Sequence, residues 1–534
     1  MTATTMTASP AARRPAIPPQ AMSWVAPIVV LALWEIAGRT VLVGTYTVPP
    51  PSAILVKFFQ DIPFAMPNLM TTATEAALGW FWGNLIAVVF AAIFILVPFT
   101  HVLLFRVFVA LYCLPVVALA PILAAVLPPG QAQIVIAAQA VFFTTMISVI
   151  LGLQSASKTS LDLVTVSGGG RLRQLWMVRT HQALPALFSG LRIAAPAAVL
   201  GAVIGEYIGA ARGLGVAMVY SQQSLDVERT WSLALYTTLL AATFYVLTVL
   251  AERVFVPWMA HTTGIQALPA PVQHSGGWLR RTLAVTGGAV LSVVTLIAVW
   301  WIAVELSGLS SYFMKTPADV FTYLFLDEDA AMHRDVLFAS LAITLRDTVL
   351  GYVAGTVAAV ALAVLMSVSV GARRVITPFA IAMRAIPLVA MTPLFVLIFG
   401  RGLGVVVFIA GLVTFFPTLI QVSTAMARTP RAARDLVETS GGGPFKTATL
   451  VMLPTALPAI LAAARVAAPT AMLGALLAEW LATGEGLGSD LLRASAEAGF
   501  LFIWSGVAAI TLSAFALYGL ATAAESWSLR RLGG

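Results

Sequence analysis

Charge is scarce in this chain. Asp, Glu, Lys and Arg make up 10% of 534 residues, against about 25% in a soluble domain. A fold that meets water on every side needs more ionised groups than that, so a soluble globular protein is excluded. Lysine occurs only at Lys57, Lys158, Lys315 and Lys446. None of the four follows the glycine that a phosphate-binding loop requires, so no ATPase site is expected in this chain. The single cysteine, Cys113, lies in an apolar run, which excludes an intrachain disulfide and predicts a packed thiol. His101, His181, His261, His274 and His333 are scattered, so no metal site is expected. Clustered carboxylates, Ser/His pairs and Cys/His sets are missing too, which argues against a membrane enzyme and predicts no catalytic residues.

What is abundant is apolar surface. Hydrophobic residues make up 60% and the mean hydropathy is +0.95, which places the chain among polytopic membrane proteins. Twelve spans of about 20 residues can be drawn. They centre on 22–43, 76–98, 102–126, 132–153, 185–208 and 230–256, then on 283–305, 345–367, 375–399, 404–425, 456–480 and 501–524. Cations sort by loop. Arg13, Arg14, Arg106, Lys158, Arg171, Arg173, Arg179, Arg253, Arg280 and Arg281 fall on one side, with Arg373, Arg374, Arg428, Arg431, Arg434, Lys446, Arg530 and Arg531. Lys57, Arg229, Lys315 and Arg334 fall on the other, with the acids Asp327, Glu328 and Asp329. The positive-inside rule then places both termini in the cytoplasm. It also explains the net charge of +8 without nucleic acid. Residues 1–21, rich in Pro and Ala, are expected to be a disordered cytoplasmic segment, and the first apolar run an uncleaved anchor. Residues 262–282, with Pro269, Pro271 and Gly276-Gly277, read as a linker between halves at 22–261 and 283–534.

The halves repeat. DLVTVSGGG from Asp162, ALPAL at 183–187 and GEYIGAARGLG at 205–215 return as DLVETSGGG from Asp435, ALPAI at 456–460 and AEWLATGEGLG at 478–488. Asp162/Asp435, Gly168/Gly441, Pro185/Pro458, Arg192/Arg465, Glu206/Glu479 and Gly215/Gly488 are all 273 apart. Gly79/Gly83 match Gly351/Gly355, and Pro115/Pro121 match Pro387/Pro393, at an offset of 272. Such self-similarity marks a duplicated unit. Even numbers of spans give both copies the same orientation, a parallel repeat around one path. The paired glycines predict close helix packing. The prolines either kink the third span for packing or line the path.

The segment between spans four and five has Asp162 or Asp435, a glycine six residues on, and His181 or Pro454 thirteen residues further. Asp162-Leu163-Val164 and Asp435-Leu436-Val437 read as acidic helix starts with an apolar face, which the helix dipole favours by about 0.3–1 kcal/mol. Gly168 and Gly169, like Gly441 and Gly442, allow positive φ and a bend between two short helices. The result is a knob that a partner can grip. This pattern resembles the cytoplasmic motif of permease subunits of type I ABC importers: Glu-Ala-Ala, three residues, Gly, about nine more, then an apolar residue and Leu-Pro. Leu453-Pro454 matches the Leu-Pro; Thr180-His181 departs from it, as do both Asp-Leu-Val runs, and the first knob is expected to dock less tightly. The downstream ALP, the glutamate, the GLG and IPLVAMTPLFVLIFGRGLG at 386–404 are similar to the nitrate, sulfonate, taurine, bicarbonate and pyrimidine-precursor branch.

The resemblance implies an all-α permease fold of two six-helix halves in the bacterial plasma membrane. It implies two ATP-binding cassette subunits, which hold ATP-Mg, at the knobs 160–180 and 433–453, with Asp162, Leu163, Val164, Gly168, Gly169, Asp435, Leu436, Val437, Gly441, Gly442 and Pro454 as the coupling residues. It also implies an extracytoplasmic substrate-binding protein and a small polar solute, with anions among the candidates. Pro115, Pro121, Glu206, Arg384, Pro387, Pro393 and Glu479 are candidates for the path. For Glu206 and Glu479 two readings stand: gating the outer mouth, or capping the following GLG turn. Arg384, opposite Tyr112 in the repeat, either attracts an anion or snorkels. Arg192 and Arg465 read as cytoplasmic-side anchors, and Glu75 and Asp347 as acids flanking the second spans in water. The alternative function is an ion-gradient-driven secondary transporter with two parallel halves, which would need acidic or His relays in its spans.

Overall fold

The computed structural model describes residues 19–41, 48–114, 116–257, 278–369, 371–374 and 400–532, with a few positions between 376 and 399. Every regular element among them is helical. The first half runs α1 (Pro19–Arg39), α2 (Pro51–Gln60), α3 (Ile62–Leu96), α4 (Pro98–Cys113), α5 (Val116–Val126), α6 (Gln131–Gln154), α7 (Lys158–Val166), α8 (Arg171–Gln174), α9 (Thr180–Gly209), α10 (Leu214–Gln223) and α11 (Val227–Phe255). The second runs α12 (Trp278–Ser307), α13 (Pro317–Phe325), α14 (Ala330–Val368), α15 (Leu403–Ala427), α16 (Arg431–Thr439), α17 (Pro444–Thr447), α18 (Leu453–Ala478), α19 (Leu487–Ala496) and α20 (Phe500–Leu532).

Among the described residues, eight helices are long and apolar enough to cross a bilayer, and a ninth span forms if the pair Val107–Cys113 and Ala118–Val126, bent by 99°, counts as one. Helices α1 and α12 stand where the first span of each half is expected. Most of the third span of the second half lies outside the described residues, as do residues 262–277 of the proposed linker, while 278–282 belong to the start of α12.

Sequence explains the joints. Proline opens α2, α4, α13 and α17, where its missing N–H costs nothing and its φ is already helical. Thr316 and Asp319 form a reciprocal capping box on α13. A single turn of π-helix, Leu175–Arg179 and Ala448–Met452, joins α8 to α9 and α17 to α18 at matching positions.

Glycine sets the packing distance. A Cβ on Gly79 or Gly83 would collide with Ala137 or Val141 of α6, and one on Gly351 or Gly355 with Ala410 or Thr414 of α15. Backbones meet there because nothing intervenes, the usual device where burial from water gives no drive to associate. The tryptophan pairs Trp34–Trp231, at 5.2 Å, and Trp300–Trp504, at 5.4 Å, pin the first helix of each half to the last. The halves meet through two apolar clusters: in one, Val109, Cys113, Ala118 and Ile122 pack with Met472, Leu476, Leu487 and Leu491, and in the other, Val203, Ile204 and Tyr207 pack with Leu477. Tyr112 Oη donates to Val466 O across the seam at 3.2 Å. Cys113 is buried there, as a packed thiol should be.

Two expectations need correction. Glu75 and Asp347 do not flank their spans in water; they are 6% and 3% exposed and face the bundle, because the helix turns them away from solvent. Arg192 and Arg465 do not reach out as interfacial anchors. They turn inward to form ion pairs described below.

Candidate functional site

Between α6 and α9, and between α15 and α18, the chain folds into an elbow. Helix α7 ends at Val166. Gly168 then takes φ +76°, its N–H bonds Thr165 O at 2.9 Å, and Gly169 N–H bonds Val164 O at 2.8 Å. In the second elbow Gly441 takes φ +79°, with Gly441 N–H to Glu438 O at 3.1 Å and Gly442 N–H to Val437 O at 2.8 Å. These are paired Schellman stops, in which a left-handed residue lets two N–H groups close the final carbonyls. The second glycine has a different reason: a Cβ on Gly169 or Gly442 would strike Val164 or Val437. The third, Gly170 or Gly443, has ordinary extended backbone and open space around it.

The aspartates do not start these helices. Ser157 caps α7, accepting from Ser160 N at 3.2 Å, and Pro430 precedes α16. Asp162 and Asp435 therefore sit in mid-helix, and neither first turn carries an acid. Both are exposed, next to Leu163 and Leu436 at 68% and 69% exposure. The first elbow also exposes Val166, Leu172, Trp176 and Met177, and the second Phe445 and Leu450. Apolar side chains held out on both elbows are the mark of a contact surface. The first elbow offers more of them than the second, although its sequence departs further from the family motif. It is also braced: Gln174 Nε2 donates to Leu161 O at 3.2 Å and Thr165 Oγ1 at 2.7 Å. His181 and Pro454 lie in the first turn of α9 and α18, just beyond the π turns.

At the other end of α9 and α18, each half buries a glutamate completely. Glu206 accepts from Gly215 N at 2.6 Å and from Thr72 Oγ1 at 2.6 Å, while that hydroxyl accepts from Leu214 N at 2.9 Å. Glu479 accepts from Gly488 N at 2.9 Å and Thr344 Oγ1 at 2.9 Å, and Thr344 accepts from Leu487 N at 2.9 Å. The open N–H groups of α10 and α19 are thereby closed by a carboxylate, the charge that a helix N-terminus favours. Gly213 and Gly486 must be glycine, since a Cβ on either would stand inside the carboxylate. This is the capping geometry, and both glutamates are fully buried in it.

Arg192 pairs with Glu252 at 3.0 Å, joining α9 to α11, and Arg465 pairs with Glu525 at 2.9 Å, joining α18 to α20. Glu252 and Glu525 escaped the sequence reading, yet they stand 273 apart like their partners. Of the path candidates, Pro121 lines a crevice between the halves with Leu476, Trp480 and Leu491. Pro115, Arg384, Pro387 and Pro393 lie outside the described residues.

Comparison with known proteins divides the chain the same way. Residues 83–261 and 351–533 each match the family described as binding-protein-dependent transport system inner membrane component. A probable ABC transporter permease protein of Haemophilus influenzae is 31% identical over 208 residues, 39% of this chain and 82% of its own length. The formylaminopyrimidine transport permease protein ThiX of Halalkalibacterium halodurans is 28% identical, over 37% of this chain and 77% of its own length. The taurine transport system permease protein TauC of Escherichia coli is 25% identical, over 42% and 82%. Each relative is thus the size of one half. No solved structure matches the chain.

Proposed function

This chain belongs to the family of binding-protein-dependent transport system inner membrane components, once in each half, and from that premise we propose that it is the whole membrane pore of an ATP-driven importer. It is a multi-pass transport subunit of the bacterial inner membrane and not itself an enzyme. Its family works with an ATPase and a substrate-binding protein. In our reading one chain replaces a pair of single-half permeases. Two ATP-binding cassette subunits, carrying ATP-Mg, seat on the cytoplasmic elbows Asp162–Gly169 and Asp435–Gly442, and both termini lie on that side. Closure of the ATPases pushes the elbows, and the halves rock to expose a central path to each side in turn. The solute, delivered by a binding protein from outside, is small and polar; the named relatives handle formylaminopyrimidine and taurine.

The observation that carries this reading is the duplicated elbow: the same left-handed glycine stop, in both halves, holding an exposed leucine beside an exposed aspartate. The test is Gly441→Leu. A left-handed leucine costs about 1–2 kcal/mol, which distorts the elbow without unfolding the membrane-spanning bundle. The variant should insert normally, yet lose co-purification with the ATPase and ATP-driven uptake. Normal association and uptake would refute the assignment, and uptake that follows an ion gradient and ignores ATP would favour a secondary transporter.

A further inference from the structure

The first elbow is tied to the ends of two spans. Helix α6 closes at Gln154, and Ser155 N–H turns back to Leu151 O and Gly152 O at 3.0 and 3.3 Å. The next carbonyl, Leu153 O, accepts from Arg179 Nη1 at 2.7 Å. Arg171 Nη1 reaches Leu96 O, at the end of α3, at 3.4 Å. The final carbonyls of a helix lack partners within it and carry the negative end of its dipole, so a guanidinium suits them as donor. Gln174 holds α8 to α7. Three long donors therefore join the elbow, α3 and α6 into one piece. That piece stays stiff further along the span. Glycines of both neighbours, Gly79 and Gly83 of α3 and Gly201 and Gly205 of α9, bring their backbones against α6. Interiors packed so closely pass a displacement on rather than absorb it.

The second half replaces each donor. Pro444, Thr447 and Met452 stand 273 residues after Arg171, Gln174 and Arg179. A proline side chain donates nothing. Thr447 Oγ1 donates within its own turn, to Gly443 O at 3.3 Å. Met452, 7% exposed, packs in one apolar cluster with Met426, the counterpart of Leu153. Met426 O is closed instead by Thr429 N–H at 3.2 Å. The same carbonyl is thus met by the elbow's own side chain in one half and by a backbone turn in the other. Directional bonds have given way to contact between methionines, whose flexible side chains adapt as their surroundings shift.

We propose that Arg179 is a positioning residue for the transmission of movement. It fixes the first elbow to α6, so that the first half turns as a rigid arm when the ATPases close, while the second elbow slides on Met426 and Met452. The proposal rests on the elbows being the ATPase seats.

The test uses the full chain with its ATPase subunits in lipid nanodiscs. Spin labels replace Arg212 and Glu485, exposed residues at the end of each half opposite its elbow, in a Cys113→Ser background. The distance between them is followed by double electron–electron resonance with and without Mg–AMP-PNP. With Arg179 in place, nucleotide should shift this distance. Arg179→Met, the second half's own residue, should reduce the shift by at least half, while the ATPases still co-purify and hydrolyse ATP. Arg179→Lys keeps a cationic donor and should retain most of the shift. No shift with Arg179 present, or a full shift in Arg179→Met even where its Tm falls, would overturn the proposal. Loss of the shift in Arg179→Lys as complete as in Arg179→Met would also overturn it. Failure of the ATPases to co-purify with the unsubstituted chain would instead sink the elbow assignment, and this proposal with it.

Discussion

The two halves cap a helix with the same glutamate and threonine, yet surround that cap differently. In the first half Glu75 lies against Glu206 and lines a crevice with Gln133 and Arg212; in the second, Asp347, Val406 and Glu485 stand at those places. The elbows show the same division. Both stop on a left-handed glycine, but one is braced by Gln174 and presents Trp176 and Met177, where the other carries Thr447, Thr449 and Leu450. Duplication has kept what backbone geometry demands and released what only a ligand or partner would read.

That contrast can be broken in order of size. The largest effect belongs to the shared scaffold: Gly213→Ala and Gly486→Ala each drive a methyl group into a buried carboxylate. Each should cost about 4 kcal/mol or more, seen as loss of monodisperse protein in detergent, and equally in both halves. A marked difference between them would show that the two caps are not one device. Next comes Arg465→Leu, which strands Glu525 in a pair 8% and 7% exposed. The expected loss is about 3–5 kcal/mol, read as a lower Tm. Arg192→Leu should cost less, because the Arg192–Glu252 pair is less buried, at 30% and 12% exposure, and the charge left behind is less desolvated. Equal losses would mean that burial does not set the strength. The smallest effect is Gly170→Ala or Gly443→Ala. Both have ordinary φ and open space, so each should be neutral or stabilise by up to about 1 kcal/mol. A clear fall in Tm would contradict the distinction drawn among the three glycines.

Much of this was legible in the sequence because glycine and proline constrain backbone wherever they fall. The 273-residue offset located the elbows and the GLG turns, and the 272-residue offset the close-packed spans. Asp162 and Asp435 misled as helix starts because Ser157 and Pro430, each five residues earlier, are the better openings. Glu75 and Asp347 misled because hydropathy locates a span but says little about which face of it meets protein. Gln133 went unnoticed for the opposite reason: its counterpart is Val406, and a search for what repeats passes over what does not.

The central claim is that both elbows face the cytoplasm and receive an ATPase. The most direct measurement places a cysteine at Leu163 or Leu436, in a Cys113→Ser background, and follows labelling by a membrane-impermeant maleimide. The account predicts labelling of both positions in inside-out vesicles, none in intact spheroplasts, and protection of both when the ATPase subunits are added. Labelling of either position from outside, or no protection at either elbow, would contradict it.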